Sequence, residues 1–194
     1  MAWREQRDFL LQFLFRPTGV GAIAPSSRHL ARAMVDWIDW AEVAGVIEYG
    51  PGTGAFTADI LARLPAGAKF VALEINPTFC EALQRRFPEL RLHQRSVREV
   101  PQVCQLEGIA QVDAVLCGLP WAAFSHRDQV DYLDALFRVL KPGGQFVTFA
   151  YLQGLLLPAG RRFRRRLDEY FSTVESSRTV WRNLPPAIVY RCRR

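Results

Sequence analysis

Cysteine, histidine and lysine are scarce in this 194-residue chain, and each scarcity excludes a chemistry. The four cysteines stand apart at positions 80, 104, 117 and 192. No CxxC pair occurs, so neither a zinc knuckle nor a dithiol redox site is expected. The three histidines, His29, His93 and His126, have no ligand spacing among them, and no metal is expected. Isolated cysteines of this kind suit a reduced, cytoplasmic protein. Residues Met1 to Asp8 include Arg4, Glu5, Arg7 and Asp8 where the apolar stretch of a signal peptide would begin. No apolar run reaches the roughly 20 residues of a membrane span.

What is present is an ordinary globular composition, 49% hydrophobic and 23% charged. A chain this long buries roughly 70% of its unfolded surface and needs no staple. The charge is unevenly placed. From Leu155 to Arg194 there are ten arginines and three acids, while the first 154 residues hold 15 basic and 16 acidic groups. The whole +6 excess therefore sits in the last fifth of the chain. Such a patch suits nucleic acid, an anionic membrane surface, or simply a solvated arginine face.

Short apolar strands alternate with amphipathic helices, the pattern of a parallel α/β sheet. Strands are expected at 45–49, 69–74, 90–94, 113–117 and 145–151, with helices near 56–63, 77–87, 127–140 and 161–171. Two further β-rich runs, 172–181 and 187–192, suggest an antiparallel hairpin at the sheet edge. Lys141-Pro142-Gly143-Gly144 reads as a helix stop followed by a tight turn. Ser26 or Ser27 is placed to cap a helix through about Trp40. Upstream, the apolar residues of Trp3–Phe15 cover roughly 240° of a helical wheel. That helix either packs on the domain or lies in a membrane interface. The chain thus divides into an N-terminal helical extension, 1–40, expected to serve as membrane contact and cofactor lid, and a catalytic domain, 41–194.

The strongest chemical signal is Glu48-Tyr49-Gly50-Pro51-Gly52-Thr53-Gly54, between a strand and a helix. Three glycines let the backbone turn tightly and approach a ligand. The spacing is not the dinucleotide GxGxxG. Glu48, two residues before the first glycine, is wrong for a pyrophosphate and right for an ammonium. Glu74, twenty residues after Gly54, ends the second strand, where an acid accepts ribose hydroxyls. An amino acid joined to a ribose describes S-adenosylmethionine.

With both acids in register, Val46 to Cys192 resembles the class I S-adenosylmethionine-dependent methyltransferases. The resemblance implies a Rossmann-like, seven-stranded, mostly parallel sheet with the last strand antiparallel, preceded here by the amphipathic N-terminal helix. It implies cofactor contacts at Glu48, Gly50, Gly52, Gly54, Glu74, Ile75, Ser96, Val97 and Gly118. Ser96 stands where this family places an acid for the adenine amine, so the serine and the Val97 amide would take that role.

Five blocks in order carry a narrower resemblance, to bacterial phospholipid N-methyltransferases. They are Val20–Ser27, Glu74-Ile75-Asn76-Pro77, Gly118-Leu119-Pro120-Trp121, Thr148-Phe149-Ala150-Tyr151 and Trp181–Pro186. It implies stepwise methylation of phosphatidylethanolamine toward phosphatidylcholine by a cytoplasmic, peripheral protein at an anionic phospholipid surface, with no nucleic-acid partner. Trp121 and Tyr151 would then be the catalytic head-group cage, since aromatic faces attract amines and fixed cations alike. Arg161 and Arg162 would hold the lipid phosphate, with Arg178 and Arg182 as weaker candidates. The alternative family is the rRNA adenine dimethyltransferases, whose tetrapeptide after the fourth strand is Asn-Leu-Pro-Tyr. Here Gly118 lacks the asparagine carbonyl and Trp121 lacks the tyrosine hydroxyl. Ser125, His126 and Asp128 lie too close together on one helix to form a hydrolytic triad.

Overall fold

A computed structural model describes residues 26–194; the Val20–Ser27 block is therefore covered only at its end, and the Trp3–Phe15 stripe lies outside the described residues. Helix α1 (Arg28–Val35) is the first helix among the described residues, capped by the Ser27 hydroxyl, which accepts the Leu30 N–H at 3.2 Å. It stops well short of Trp40 because the Trp40 indole N–H satisfies the Val35 carbonyl at 3.0 Å. Then follow β1 (Gly45–Tyr49), α2 (Thr57–Leu61), β2 (Lys69–Leu73), α3 (Pro77–Arg86), β3 (Arg91–His93), α4 (Val100–Leu106), β4 (Val112–Cys117), α5 (His126–Val139), β5 (Leu140–Tyr151), α6 (Leu152–Leu156), α7 (Pro158–Tyr170), β6 (Thr173–Ser176) and β7 (Ala187–Arg193).

The seven strands form one sheet in the order β3-β2-β1-β4-β5-β7-β6. β1 to β5 are parallel neighbours, and β7 runs antiparallel to both β5 and β6. The fold is thus the Rossmann-like α/β arrangement expected from the sequence. Strands covered on both faces are largely apolar, and β1 and β4 are buried at every position, the carboxylates Glu48 and Asp113 included. Successive residues of β1 serve two cores. Ile47 and Tyr49 pack with α4, α5 and α7, while Val46 packs with α1 and α2. α1, within the 1–40 stretch, contributes Leu30, Met34 and Val35 to the second core.

Lys141–Gly144 does stop α5 at Val139 but does not make a separate turn. The run continues as the start of β5, where register with β4 jumps from Val112↔Leu140 to Ala114↔Gln145. The extra residues are absorbed because the Gly143 N–H donates to the Arg194 carbonyl at 2.9 Å and Lys141 pairs with Asp113. Asp113 also accepts the Ala44 and Gly45 N–H groups, each at 2.8 Å. Burial alone would push its carboxyl up. Lys141 and the two N–H donors outweigh that and hold it below the ordinary value. This pairing fixes the start of β1, and hence where its glycine loop emerges.

Candidate active site

The strand order reverses between β1 and β4, and open α/β sheets place ligands outside the strand ends at such a point. Both loops there are glycine-built. Gly50, Gly52 and Gly54 all have positive φ, at +63°, +56° and +80°, a region that side chains with a Cβ avoid. The Gly118 N–H donates to the Tyr49 carbonyl at 2.8 Å. A Cβ on Gly118 would lie 2.7 Å from the Gly50 carbonyl oxygen. The two loops touch backbone to backbone, and only glycine permits it.

The loop is also latched to the end of β2. Glu74 accepts the Gly52 N–H at 3.1 Å with one carboxylate oxygen and the Asn76 N–H at 2.9 Å with the other. The Ile75 N–H is a further donor to it. Burial raises the Glu74 pKa despite these donors. Each carboxylate oxygen has two lone pairs, so acceptor capacity remains for a pair of hydroxyls. Glu48, at the end of β1, is fully buried. Thr57 donates to one of its oxygens at 2.7 Å, and the other has no hydrogen-bond partner. Burial pushes its carboxyl up to about 8, with the Thr57 bond opposing and Glu74 adding to the rise. An orphaned buried carboxylate oxygen beside a glycine loop calls for a cationic donor. A cofactor with an ammonium and a ribose fits this donor set at both ends.

Ser96 and Val97 lie past the end of β3. The Ser96 hydroxyl caps a short 3₁₀ turn, accepting the Arg98 N–H, while Glu99 accepts the Ser96 N–H at 3.1 Å. Val97 is buried in the first core. The serine thus shapes the loop after β3 as well as standing at the expected adenine position.

Trp121 and Tyr151 come together at the walls of one apolar pocket, completed by Pro120, Phe149, Gly154 and Phe163. Trp121 is deeply engaged there. It is 3% exposed, stacks on Phe163 at a centroid distance of 4.2 Å, and donates its indole N–H to the Thr148 hydroxyl at 3.0 Å. That hydroxyl donates in turn to the Cys117 carbonyl at 3.1 Å, tying β5 to β4. Tyr151 packs edge-on against Phe149, and burial raises its phenol pKa. Arg161 and Arg162 sit in the first turns of α7, Arg161 exposed and Arg162 half-buried. The Arg162 Nε is buried without a partner.

Two supporting residues, Thr57 and Gln129, were not singled out from the sequence, and Arg166, one of the arginine cluster at 161–166, has an unexpected inward role. Thr57 fixes Glu48, as above. Gln129, fully buried on α5, donates to the Trp121 carbonyl at 2.8 Å and the Ala159 carbonyl at 3.1 Å. Its oxygen accepts from Arg166, itself 6% exposed on α7. This bridge joins the loop after β4 to the start of α7 across the pocket. A glutamine on a helix gives no sequence signal of such a role.

These are the fold and cofactor cradle of a class I S-adenosylmethionine-dependent methyltransferase. The model of the family described as "Methyltransferase domain" matches residues 46–144, and the chain belongs to that family. It is similar over nearly its whole length to the ornithine lipid N-methyltransferase of Singulisphaera acidiphila, at 35% identity over 188 residues, covering 95% of this chain and 94% of the relative. The uncharacterized methyltransferase Mb3374 of Mycobacterium bovis is 27% identical, covering 95% of this chain and 76% of its own. Among solved structures, TrmN from Thermus thermophilus superposes with a TM-score of 0.60 at 17% identity over 85% of this chain and 48% of its own. The T. thermophilus 16S rRNA N2 G1207 methyltransferase RsmC, solved with AdoMet and guanosine, gives 0.60 at 14% over 91% of this chain and 43% of its own. The chain spans about half the length of these solved neighbours, and the likeness is one of fold. The cofactor is S-adenosylmethionine, which supplies an electrophilic methyl group when bound. Glu48, the glycine loop and Glu74 are the residues of this chain that fit it. Among the described residues no helix is long and apolar enough to cross a membrane.

Proposed function

We propose that this methyltransferase N-methylates the primary amine of a zwitterionic membrane lipid. The observation that carries the reading is the end-to-end similarity to a protein named as an ornithine lipid N-methyltransferase. Ornithine offers a side-chain amine and a carboxylate. Phosphatidylethanolamine offers an amine and a phosphate, and the five sequence blocks favour it as the second substrate. Either headgroup pairs an amine for the Trp121–Tyr151 pocket with an anion for Arg161 and Arg162. Arginine forks suit carboxylate and phosphate equally in geometry.

The pocket supports an amine in another way. Its walls are aromatic and aliphatic, and such a wall lowers the pKa of an entering ammonium by desolvation. The amine must be neutral to react, and must be held about 3–3.5 Å from the methyl carbon. Gly118 weighs against the adenine alternative. A Cβ there meets the Gly50 carbonyl at 2.7 Å, so an asparagine amide has no place. The test is incubation with methyl-labelled cofactor and, in separate reactions, vesicles of ornithine lipid, vesicles of phosphatidylethanolamine, and rRNA. Label in one or both lipids is the expected result. Label in rRNA adenine with none in lipid overturns the reading.

A further inference from the structure

Two segments that leave the ligand end of the sheet side by side carry large apolar side chains into solvent. Tyr151 on β5 pairs with Ala187 on β7, and the Leu152 N–H donates to the Pro186 carbonyl at 3.0 Å. Residues 152–157 and 180–186 therefore start from one point. Leu156 is 71% exposed, Trp181 71% and Leu184 77%, and Leu157 is exposed as well. Single exposed leucines need no explanation. Here four of the six large apolar side chains exposed among the described residues fall on two adjacent segments, and such a cluster marks a contact surface. The second segment is firmly held. Asn183, 3% exposed, accepts the Ser27 N–H at 2.9 Å and donates to the Pro185 carbonyl at 2.7 Å. Trp181 and Leu184 flank that anchor and point outward.

The surrounding charge is of one sign. Arg161, Arg165, Arg178 and Arg182 are exposed, and no carboxylate among the described residues pairs with them. No acid occurs between Leu152 and Leu167, or between Ser176 and Arg194. A second copy of the chain seated here would bring arginines against arginines. A nucleic acid would meet the arginines but gain nothing from leucines. An anionic bilayer satisfies both, because apolar tips and an interfacial tryptophan enter the headgroup–acyl boundary while arginines face the phosphates.

We propose that residues 152–157 and 180–186 form a membrane-docking rim. Leu156, Leu157, Trp181 and Leu184 insert and the adjoining arginines meet anionic headgroups. The first of these segments also supplies Gly154 to the wall of the amine pocket. Docking would therefore set the pocket at the depth of a lipid headgroup. The inference rests on the aminolipid reading, and its test separates the two.

The experiment measures sedimentation of the full chain with phosphatidylglycerol/phosphatidylethanolamine vesicles, for wild type and an L156S/W181S/L184S variant. Alongside go a melting curve and methylation of a short-chain aminolipid kept monomeric in solution. Wild type is expected to partition to the vesicles, less so at about 0.5 M salt where surface charge is screened. The variant is expected to partition at least tenfold more weakly with an unchanged melting temperature and unchanged turnover of the monomeric lipid. Unchanged partitioning overturns the rim. So does a lowered melting temperature at unchanged partitioning, which would show that residues 1–25 cover the patch, or loss of a wild-type dimer in the variant, which would show a second copy there. If no aminolipid is methylated in either form, the substrate reading fails, while the partitioning still decides the rim.

Discussion

A fully buried carboxyl with a pKa of about 8 and one unpartnered oxygen ties cofactor binding to pH. Free of ligand, Glu48 is about 90% protonated at pH 7. Beside the cofactor's ammonium it must be ionised to act as an acceptor of charge. Binding therefore expels a proton, about 0.9 per cofactor at pH 7. The affinity follows the ionised fraction of the free protein. That fraction is about 1/101 at pH 6 and 1/11 at pH 7, so the dissociation constant should fall about ninefold across that unit. The interval lies below the usual α-amino range of roughly 7.7–8.0, so the ligand's own charge is constant across it. Calorimetric titration in two buffers of different ionisation enthalpy counts the proton directly. Glu48→Gln should abolish both the slope and the proton release. The same group sets a stability trend of known sign. A carboxyl raised in the folded state keeps its proton where the unfolded chain has lost it, so stability falls as pH rises through the interval from about 4.5 to 8. Between pH 6 and 9 the ligand-free wild type should lose about 3 kcal/mol from this group, and Glu48→Gln should not. A flat affinity between pH 6 and 7, or a variant that keeps the slope, would refute the assignment of Glu48 to the ammonium.

Glu74→Ala removes the acceptor for the ribose and the latch on the Gly52 N–H, and charged hydrogen bonds of this kind are worth about 1.5–3 kcal/mol; cofactor affinity should fall tenfold or more by calorimetry. Gly118→Asn forces a Cβ toward the Gly50 carbonyl, and should weaken cofactor binding without creating any adenine methylation in an rRNA assay. Trp121→Phe keeps the stack on Phe163 but removes the N–H donated to the buried Thr148 hydroxyl, which keeps its own bond to the Cys117 carbonyl, and should cost about 1 kcal/mol in urea unfolding. Tyr151→Phe should leave the pH profile of lipid methylation in place, since a phenol raised by burial is not the group that titrates; a collapsed rate or a shifted profile would make it the proton acceptor.

The sheet and the cofactor half of the site were legible because they are written in local rules. A short apolar run before a glycine turn can only be a buried strand meeting a ligand, and an acid at the end of the next strand has few other uses. The pocket half was less legible. Trp121 and Tyr151 are recognisable as aromatics at strand ends, yet nothing in the sequence shows that the Trp121 indole N–H is held by Thr148 or that four other rings crowd it. Gln129 and Arg166 are 37 residues apart, and their bridge exists only because α5 and α7 lie on one face. Helices α4 and α6, of seven and five residues, escaped the sequence reading: neither is long enough to show a helical period, and neither follows a glycine turn of the kind that marked the equally short α2. The Lys141–Gly144 run misled because a proline and two glycines usually end an element. Here the C-terminal backbone at Arg194 supplies the missing partner and the strand runs on.

The two halves of the site divide the proton chemistry between them. Both ionisable carboxylates belong to the cofactor side, where Glu48 and Glu74 are buried behind the glycine loop. Among the described residues, the pocket on the other side of Gly118 is lined by apolar groups, with only the Tyr151 and Tyr190 phenols able to titrate. Burial raises both of them, so neither is a phenolate near neutral pH. These lining residues offer no strong base to strip an ammonium; for the amine substrate proposed above, the apolar walls would act instead by making the charged form costly. A methylated product still bears a proton or a fixed charge, and leaves the same apolar walls for water or headgroup phosphate. For the aminolipid proposed above, such walls would hold the cationic product by no more than cation–π attraction.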